Sequence, residues 1–596
     1  MSEKGLDLNK RRRFTVFLIS CLIVSSFLVS VGSSPQPPID PTVYNVATIG
    51  QPVRIDPARA YDTASGELLQ NVYQTLIWWN DKKPVTFTPG VGYNLTIADY
   101  ADLEQYGPVL ATEVPTLGNG RIVVNASGSY WRFTVNTNAQ FQPWVDHLGN
   151  TVPARNITAA DVVYSFRRQV VFDSPYSPEW MFATPAFGTP GFWNSYDMDG
   201  TNSFSAADEA IIANKIENWC YAVGNDVYFN FTLPWAEGVL KQIFAQTWGG
   251  VVNPDWVKEM GGWDGLFTAG WSNNYHWKPT ATRSELDTYK SPITFPGHGS
   301  KYATFKLGAV GTGPYKFTSW DTVNKIWRID YDPAFWQGWA NAGDKAGNYF
   351  HTVIEKGIDA WPTRKMLFLE GESDVAAVPR ANMYDLLVGG DAYTPIAGIN
   401  LVYNIAALQN DVMLFSFSVP SESPYQSYVG YPTHKTTAVQ YFFNNTHIRR
   451  AFAWALNYTA YLKDAWFGEA IAERTWWVEG LSPASYKNTN ASMPQRTLNL
   501  VEMQNELNLA IIGGFNVGTE GFEMTLAYNI GNDQRLIACN LIAQAFQSLG
   551  SKYKCNVVGL DWPWLLDPGW EPGRQSMYDV GWLADFADPD NFCEPY

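Results

Sequence analysis

Glu523-Met524-Thr525-Leu526-Ala527-Tyr528-Asn529-Ile530 is followed by a helical stretch from Asp533 to Leu549, and then by Tyr553-Lys554-Cys555-Asn556-Val557-Val558. The outer pieces have the β-branched, aromatic and apolar content of strands, and the middle piece is long enough for about five helical turns. Gly550 stands where such a helix needs a residue that tolerates an unusual C-terminal conformation. Parallel neighbouring strands require a crossover of this length, so the stretch reads as the βαβ unit of a parallel or mixed sheet. The chain is therefore of the α/β class.

Working outward, Ile448 to Leu456 places Ile448, Ala451, Phe452, Ala455 and Leu456 at helical spacing. Upstream of it, Thr363-Arg364-Lys365-Met366-Leu367 and Gly371-Glu372-Ser373-Asp374-Val375 read as a short helix, a glycine turn and a strand. Val310-Gly311-Thr312-Gly313-Pro314-Tyr315-Lys316-Phe317 is a turn that leads into two strands around Thr322, the second from Lys325 to Tyr331. Asn156-Ile157-Thr158-Ala159-Ala160-Asp161-Val162 marks a helix start. Thr158 is the cap, Asp161 the third helical position, and Ile157 the staple onto Val162. That helix buries Val162, Val163, Phe166 and Val170. Ile122 to Val135 gives two short strands around Gly128. Nearest the N-terminus, Tyr44 to Gly50 reads as a strand and Gly66 to Ile77 as a helix carrying Leu68, Leu69, Val72, Leu76 and Ile77.

With 596 residues the chain is too long for one core, and two to four domains are expected. Apolar residues make up 46% and charged residues 16%, which excludes a highly charged disordered chain. Its 41 basic and 57 acidic residues leave a net charge of −16, a surface that repels nucleic-acid phosphates. The 26 Trp, 32 Tyr and 33 Phe make up 15% of the chain and need an explanation. Lys10-Arg11-Arg12-Arg13 precedes an apolar run from Phe14 to Val31, small residues at Val31-Gly32-Ser33-Ser34 and a Pro-rich linker from Pro35 to Pro41. This is the pattern of an export signal or an uncleaved N-terminal anchor spanning about residues 10–33. Leu18-Ile19-Ser20-Cys21 has the look of a lipoprotein box, although the apolar run continues beyond it.

The five cysteines, at 21, 220, 539, 555 and 593, show no C-x-x-C spacing. A disulfide is allowed in an exported protein, and the sequence leaves its pairing open. N-x-S/T sequons begin at Asn94, Asn125, Asn156, Asn230, Asn444, Asn457 and Asn490, close to the number expected by chance. The six His residues, at 147, 276, 298, 351, 434 and 447, form neither H-E-x-x-H nor H-x-H. There is no G-x-S-x-G elbow and no phosphate-binding P-loop. Gly311-Thr312-Gly313 is half of a dinucleotide fingerprint, but Pro314 favours a plain turn. Arg449-Arg450 reads as a solvated face or an inter-element salt bridge. Nothing marks a catalytic residue, a metal site or a cofactor.

Five stretches, in order, carry a resemblance. They are Ile55-Asp56-Pro57-Ala58 with the Glu67–Ile77 helix, Thr158 to Phe166, Val310 to Tyr315, Ile448 to Ala455, and Gly581-Trp582-Leu583-Ala584-Asp585-Phe586-Ala587-Asp588-Pro589. Together, over roughly residues 43–596, they resemble the extracellular solute-binding proteins of the oligopeptide/dipeptide/nickel class (family 5) that serve ABC importers.

The resemblance implies a two-lobed periplasmic-binding-protein-like fold (type II) with an extra inserted subdomain. Residues 1–42 are then the signal or anchor and linker, 43–80 plus 215–350 the first lobe, 81–214 the insert and 351–596 the second lobe. It also implies that family members continue beyond the point matching Tyr596. The implied activity is non-enzymatic: capture of oligopeptides or dipeptides between the lobes and delivery to an ABC permease. The chain would act as a monomer, without cofactor or nucleic acid, at the extracellular face of the membrane or in the periplasm.

By the same resemblance Asp585 pairs with a peptide's α-ammonium group, next to Trp582, and Trp562 lines the cleft. The sequence by itself also allows Asp585 to cap the turn before Asp588-Pro589, or to join Asp588, Asp590 and Glu594 around calcium. Trp78-Trp79, Trp336, Trp339 and Trp476-Trp477 are either packing residues or stacking faces. An oligosaccharide therefore stays open as a second ligand class, and a secreted hydrolase as a third reading.

Overall fold

The computed structural model describes residues 40–79, 87–88, 92–93, 106–146, 148–172, 178–189, 205–233, 235–260, 262–269, 271, 308–339, 349–389, 394–401, 407–419, 421, 423–432, 438–475, 477–481, 495–570 and 575–593. Val43–Tyr596 form one unit and Met1–Thr42 another. The basic block, the apolar run, Cys21, the four histidines other than His351 and His447, the sequons at Asn94 and Asn490, Trp476 and Glu594 lie outside the described residues.

Two mixed sheets organise the body. The first has the order Tyr315–Asp321, Ile326–Tyr331, Thr352–Gly357, Val43–Thr48, Val375–Ala376. Val43–Thr48 runs parallel to both of its neighbours, and the remaining pairs are antiparallel. The second sheet is built on Phe522–Asn529, whose one edge pairs in parallel with Tyr553–Leu560 along its whole length. Its other edge is shared by Ser427–Val429 and by Met577–Leu583, and the latter also pairs with Gln409–Phe415. The intervening helix is Asp533–Leu549, capped by the Asn532 side chain and ended by Gly550 at φ 143°. The βαβ reading is thus realised, with the helix at its expected bounds and the strands shifted by one or two residues at their ends.

A four-stranded antiparallel sheet, Cys220–Val223, Asp226–Phe231, Gly128–Thr134 and Ile122–Asn125, packs against the helix Ala159–Phe172. Asp161 accepts from the Thr158 backbone N–H at 2.8 Å, and Thr158 Oγ1 accepts from that of Asp161 at 3.3 Å. This reciprocal cap fixes where the helix begins. Phe133, Phe166, Phe229 and Phe244 interlock behind it with ring centroids 4.8–5.8 Å apart. The Gly311-Thr312-Gly313 turn leads into the strand Tyr315–Asp321, where a dinucleotide fingerprint would open a helix. A Cβ on Gly311 or Gly313 would fall 2.1 or 2.6 Å from the Val72 carbonyl oxygen, so these glycines let two backbones meet.

Three expectations need adjusting. The first helix is Thr63–Val72, not Gly66–Ile77: Tyr73 leaves it extended, and Ile77–Trp79 becomes a strand paired with Tyr106–Pro108. Leu76 and Ile77 are buried, as a helix face would make them, but β-branched and aromatic residues there favour the strand. A boundary at residue 351 would cut through the first sheet, which takes both Thr352–Gly357 and Val375–Ala376. A boundary at 214 would separate Cys220–Phe231 from the strands of the insert to which they are hydrogen-bonded.

Between the first sheet and the helix Thr63–Val72 the buried Glu355 faces the exposed Glu67. Glu355 Oε1 accepts from Trp327 Nε1 at 2.9 Å, and its carboxyl neighbours Glu67. Burial, and then the Glu67 charge, push the Glu355 carboxyl up to about 8. A raised folded-state value means that this carboxyl favours folding fully below its ordinary value of 4.5, and that the contribution is lost as pH rises through about 8. The melting temperature is therefore expected to fall between about pH 4.5 and pH 8 and to level off above that. Glu355→Gln, which retains an acceptor for Trp327, should flatten that slope in a calorimetric pH series.

Candidate functional site

The site forms where the chain that leaves the second sheet meets the core of the first. On the first side, Asp56 fixes the approach. Its carboxylate takes the fully buried Arg168 guanidinium, and its backbone carbonyl accepts from Arg59 and Ala60 N–H at 2.9 and 2.8 Å. The Ile55-Asp56-Pro57-Ala58 motif is thus a tied turn, and it delivers Tyr61 and Asp62 to the N-terminus of the helix Thr63–Val72. Asp62 caps that helix by accepting from Ser65 N–H at 3.0 Å.

From the other side comes the strand Met577–Leu583, followed by Ala584, Asp585, Phe586 and Ala587. Phe586 is buried in the first core, beside Trp180 and Trp235 with ring centroids 5.9 and 6.1 Å away. Ala587 N–H donates to Gln242 Oε1 at 2.6 Å, and Gln246 donates to the Asp585 carbonyl.

The Asp585 carboxylate is buried, with 8% of the residue exposed. Oδ2 accepts from Tyr61 OH at 2.8 Å and from Asn591 Nδ2 at 3.1 Å, while Oδ1 accepts from Trp248 Nε1 at 3.2 Å. All three donors are neutral. Among the described residues no Lys, Arg or His lies within ion-pair distance of it. Burial pushes its carboxyl up, against the opposing pull of the Asn591, Tyr61 and Trp248 hydrogen bonds. A carboxylate held in this way has the chemistry to accept from a cationic N–H donor.

Asp585 and Trp582 are brought together. Asn591 Oδ1 accepts from both the Asp585 backbone N–H (2.9 Å) and Trp582 Nε1 (3.1 Å), and the Trp582 ring meets Tyr61 edge-on at 5.5 Å. Trp562 opens the helix Trp562–Trp570 at the end of Tyr553–Leu560, and its Nε1 donates to Asp62 Oδ1 at 3.1 Å. It thus joins the same seam through the residue next to Tyr61. Gly50, at φ 70°, lets the backbone pass alongside it, since a Cβ there would lie 3.1 Å from that of Trp562.

Sequence reasoning missed Tyr61, Trp248, Trp180 and Asn591. Asn591 had a signal in the Asp588-Pro589-Asp590-Asn591-Phe592 run, and Tyr61 in its place just after the Asp56-Pro57 turn. Trp248 had none.

The other aromatic candidates pack. Trp336 donates to Gln74, Trp339 donates to the Asp332 carbonyl and stacks on Tyr349 at 4.2 Å, and Trp79 lies against Tyr106. Trp477 joins Val478, Leu481 and Phe592. Asp588 Oδ1 accepts from Asp590 N–H at 3.0 Å while Asp585 points inward, so the acidic residues of this loop have separate tasks. Among the described residues no group of three or more His, Cys, Asp or Glu could hold a metal ion. Cys220, Cys539, Cys555 and Cys593 are free thiols. Arg449 donates to the Phe443 and Asn444 carbonyls, and Arg450 lies 4.0 Å from Glu506.

A profile described as Bacterial extracellular solute-binding proteins, family 5 Middle, matches residues 105–596. No curated protein sequence matches the chain. Among solved structures, the periplasmic binding protein DppA from Helicobacter pylori, in complex with the peptide STSA, has a TM-score of 0.51 at 18% identity, covering 92% of this chain and 80% of its own. Listeria monocytogenes OppA bound to peptide gives 0.54 at 14%, covering 93% and 83%. The Escherichia coli murein tripeptide binding protein MppA gives 0.52 at 17%, covering 92% and 81%. The fold is accordingly the two-lobed α/β architecture of periplasmic binding proteins. Among the described residues no helix is long and apolar enough to cross a membrane.

Asn591→Ala should untie this loop. It leaves two donors, the Asp585 N–H and the Trp582 indole, without their acceptor, at about 1–3 kcal/mol each where no water reaches them. Denaturant unfolding is expected to show a lower midpoint with an unchanged slope.

Proposed function

Since the chain belongs to family 5 of the bacterial extracellular solute-binding proteins, we propose that it captures peptides between its two lobes and passes them to an ABC permease. The observation that carries the peptide reading is the buried Asp585 carboxylate, held by three neutral donors and by no cation of the described chain. A free peptide brings an α-ammonium group, which supplies both the missing charge and N–H donors. An oligosaccharide of neutral sugars brings hydroxyls only and leaves the charge uncompensated. Peptide-bound relatives of the same fold support this choice.

The first lobe in this proposal comprises residues 43–80 and about 232–377, because Thr352–Gly357 and Val375–Ala376 complete its sheet. The insert extends from 81 to about 231, taking in the hairpin that finishes its sheet, and the rest of the body is the second lobe. Trp582 and Trp562 stand beside Asp585 and Asp62 as the aromatic walls of the cleft. The protein acts as a monomer without chemistry of its own, and the segment around residues 10–33 exports or anchors it.

Isothermal titration with a pooled tetrapeptide library should detect binding by the intact chain. N-terminal acetylation of the same library should abolish most of it. Asp585→Ala should weaken binding of the free-amine library by about 10–100-fold, the range of a charge-assisted hydrogen bond removed from a buried site. Equal binding of the acetylated and free peptides would refute the ammonium reading.

A further inference from the structure

Tyr61 sits at the junction of three elements. Its hydroxyl donates to Asp585 Oδ2 at 2.8 Å and accepts from Trp180 Nε1 at 2.9 Å. A phenol has one proton to give, and an indole N–H can only donate. The Trp180 indole therefore occupies an acceptor direction of the hydroxyl and directs its proton onto Asp585. The ring has little freedom to turn, because Trp248 and Trp582 meet it at 5.6 and 5.5 Å with interplanar angles of 90° and 88°. Burial and the adjacent Asp585 charge raise the phenol's pKa well above its ordinary value, so Tyr61 stays a neutral donor.

The two oxygens of Asp585 are consequently unequal. Oδ2 receives both Tyr61 and Asn591, whereas Oδ1 receives Trp248 alone, at the longest of the three distances. We propose that Tyr61 is a positioning residue of the ligand site: its directed hydroxyl secures Oδ2, keeps the carboxylate ionised and leaves Oδ1 as the face that receives the ligand's ammonium group. This rests on the reading of Asp585 as the ammonium acceptor.

Among the described residues, Tyr61 is the titratable group bonded to the carboxylate, Glu179 acts on Tyr61, and Asp588 and Asp590 follow on the same loop. None of these is cationic. The task of holding the charge falls to neutral donors, and Tyr61 makes the shortest of these bonds. A protonated carboxyl attracts no ammonium ion, so loss of a donor to the ionised form should shift the acid limit of binding upward in pH.

The test uses the full chain and the free-amine tetrapeptide library, titrated between about pH 4 and pH 8. Tyr61→Phe is expected to weaken binding about tenfold at neutral pH and to move the acidic limb, where binding fails as Asp585 protonates, to higher pH. Asp585→Asn should remove that limb, and Tyr61→Phe added to it should shift nothing further. Trp180→Phe keeps the hydroxyl but removes the bond that directs it, so it should shift the limb in the same direction by less; it serves if Tyr61→Phe does not fold. An acidic limb at the wild-type position in both Tyr61→Phe and Trp180→Phe would overturn the proposal. Wild-type affinity in Asp585→Asn alone would instead overturn the reading of Asp585.

Discussion

A carboxylate shut away from water must be held by something, and at Asp585 the chain supplies only neutral donors. Each donor comes from a different place: Tyr61 before the first long helix, Trp248 from the core of the first sheet, Asn591 from the turn after the strand. To converge on one side chain they require the loop behind Met577–Leu583 to cross into the first core. Phe586 makes that crossing stable by burying its ring there, and the Gln242 and Gln246 side chains pair the loop's backbone. Apolar burial anchors the loop, and the anchor carries a charge into a place where that charge is poorly solvated.

The same arrangement gives the aromatic excess a physical reason. The chain has 57 acidic groups against 41 basic ones, so not every carboxylate can be met by a cation. Indole is a large apolar body with one N–H that can only donate, and it fills that gap. Trp248 serves Asp585, Trp562 serves Asp62 and Trp327 serves Glu355. Trp180 and Trp582 extend the pattern one bond outward, to Tyr61 and Asn591. Several tryptophans that composition alone would offer to a ligand are thus engaged with the protein's own acceptors.

What could be read in advance follows from the range of each interaction. The helix Asp533–Leu549 and the cap at Thr158–Asp161 are local, and their periodicity and spacing gave them away. Leu76 and Ile77 misled because burial has the same signature in a strand as on a helix face, and only the partner strand at Tyr106–Pro108 decides between them. Asp585 and Trp582 were legible through a motif, but their partners were not. The Tyr61 and Trp248 bonds to Asp585 join residues 524 and 337 positions apart, and a contact of that span leaves no periodic trace. The parallel pairing of Val43–Thr48 with Thr352–Gly357, which moves the lobe boundary, is hidden for the same reason.

In the peptide capture proposed above, opening and closing of the two lobes would set these terms against one another. Phe586 in the first core, Val53 packed with Leu565, Leu566 and Tyr578, and Lys325 held between Asp359 and Asp561 all favour the closed arrangement. The Asp585 charge opposes it, because opening returns the carboxylate to water. A ligand cation relieves that penalty only when the lobes are closed around it, so its affinity for the closed state exceeds its affinity for the open one. That difference is what allows a ligand to shift the population. On that proposal, the burial that makes Asp585 a costly residue would also couple recognition of the ligand's charge to closure of the lobes.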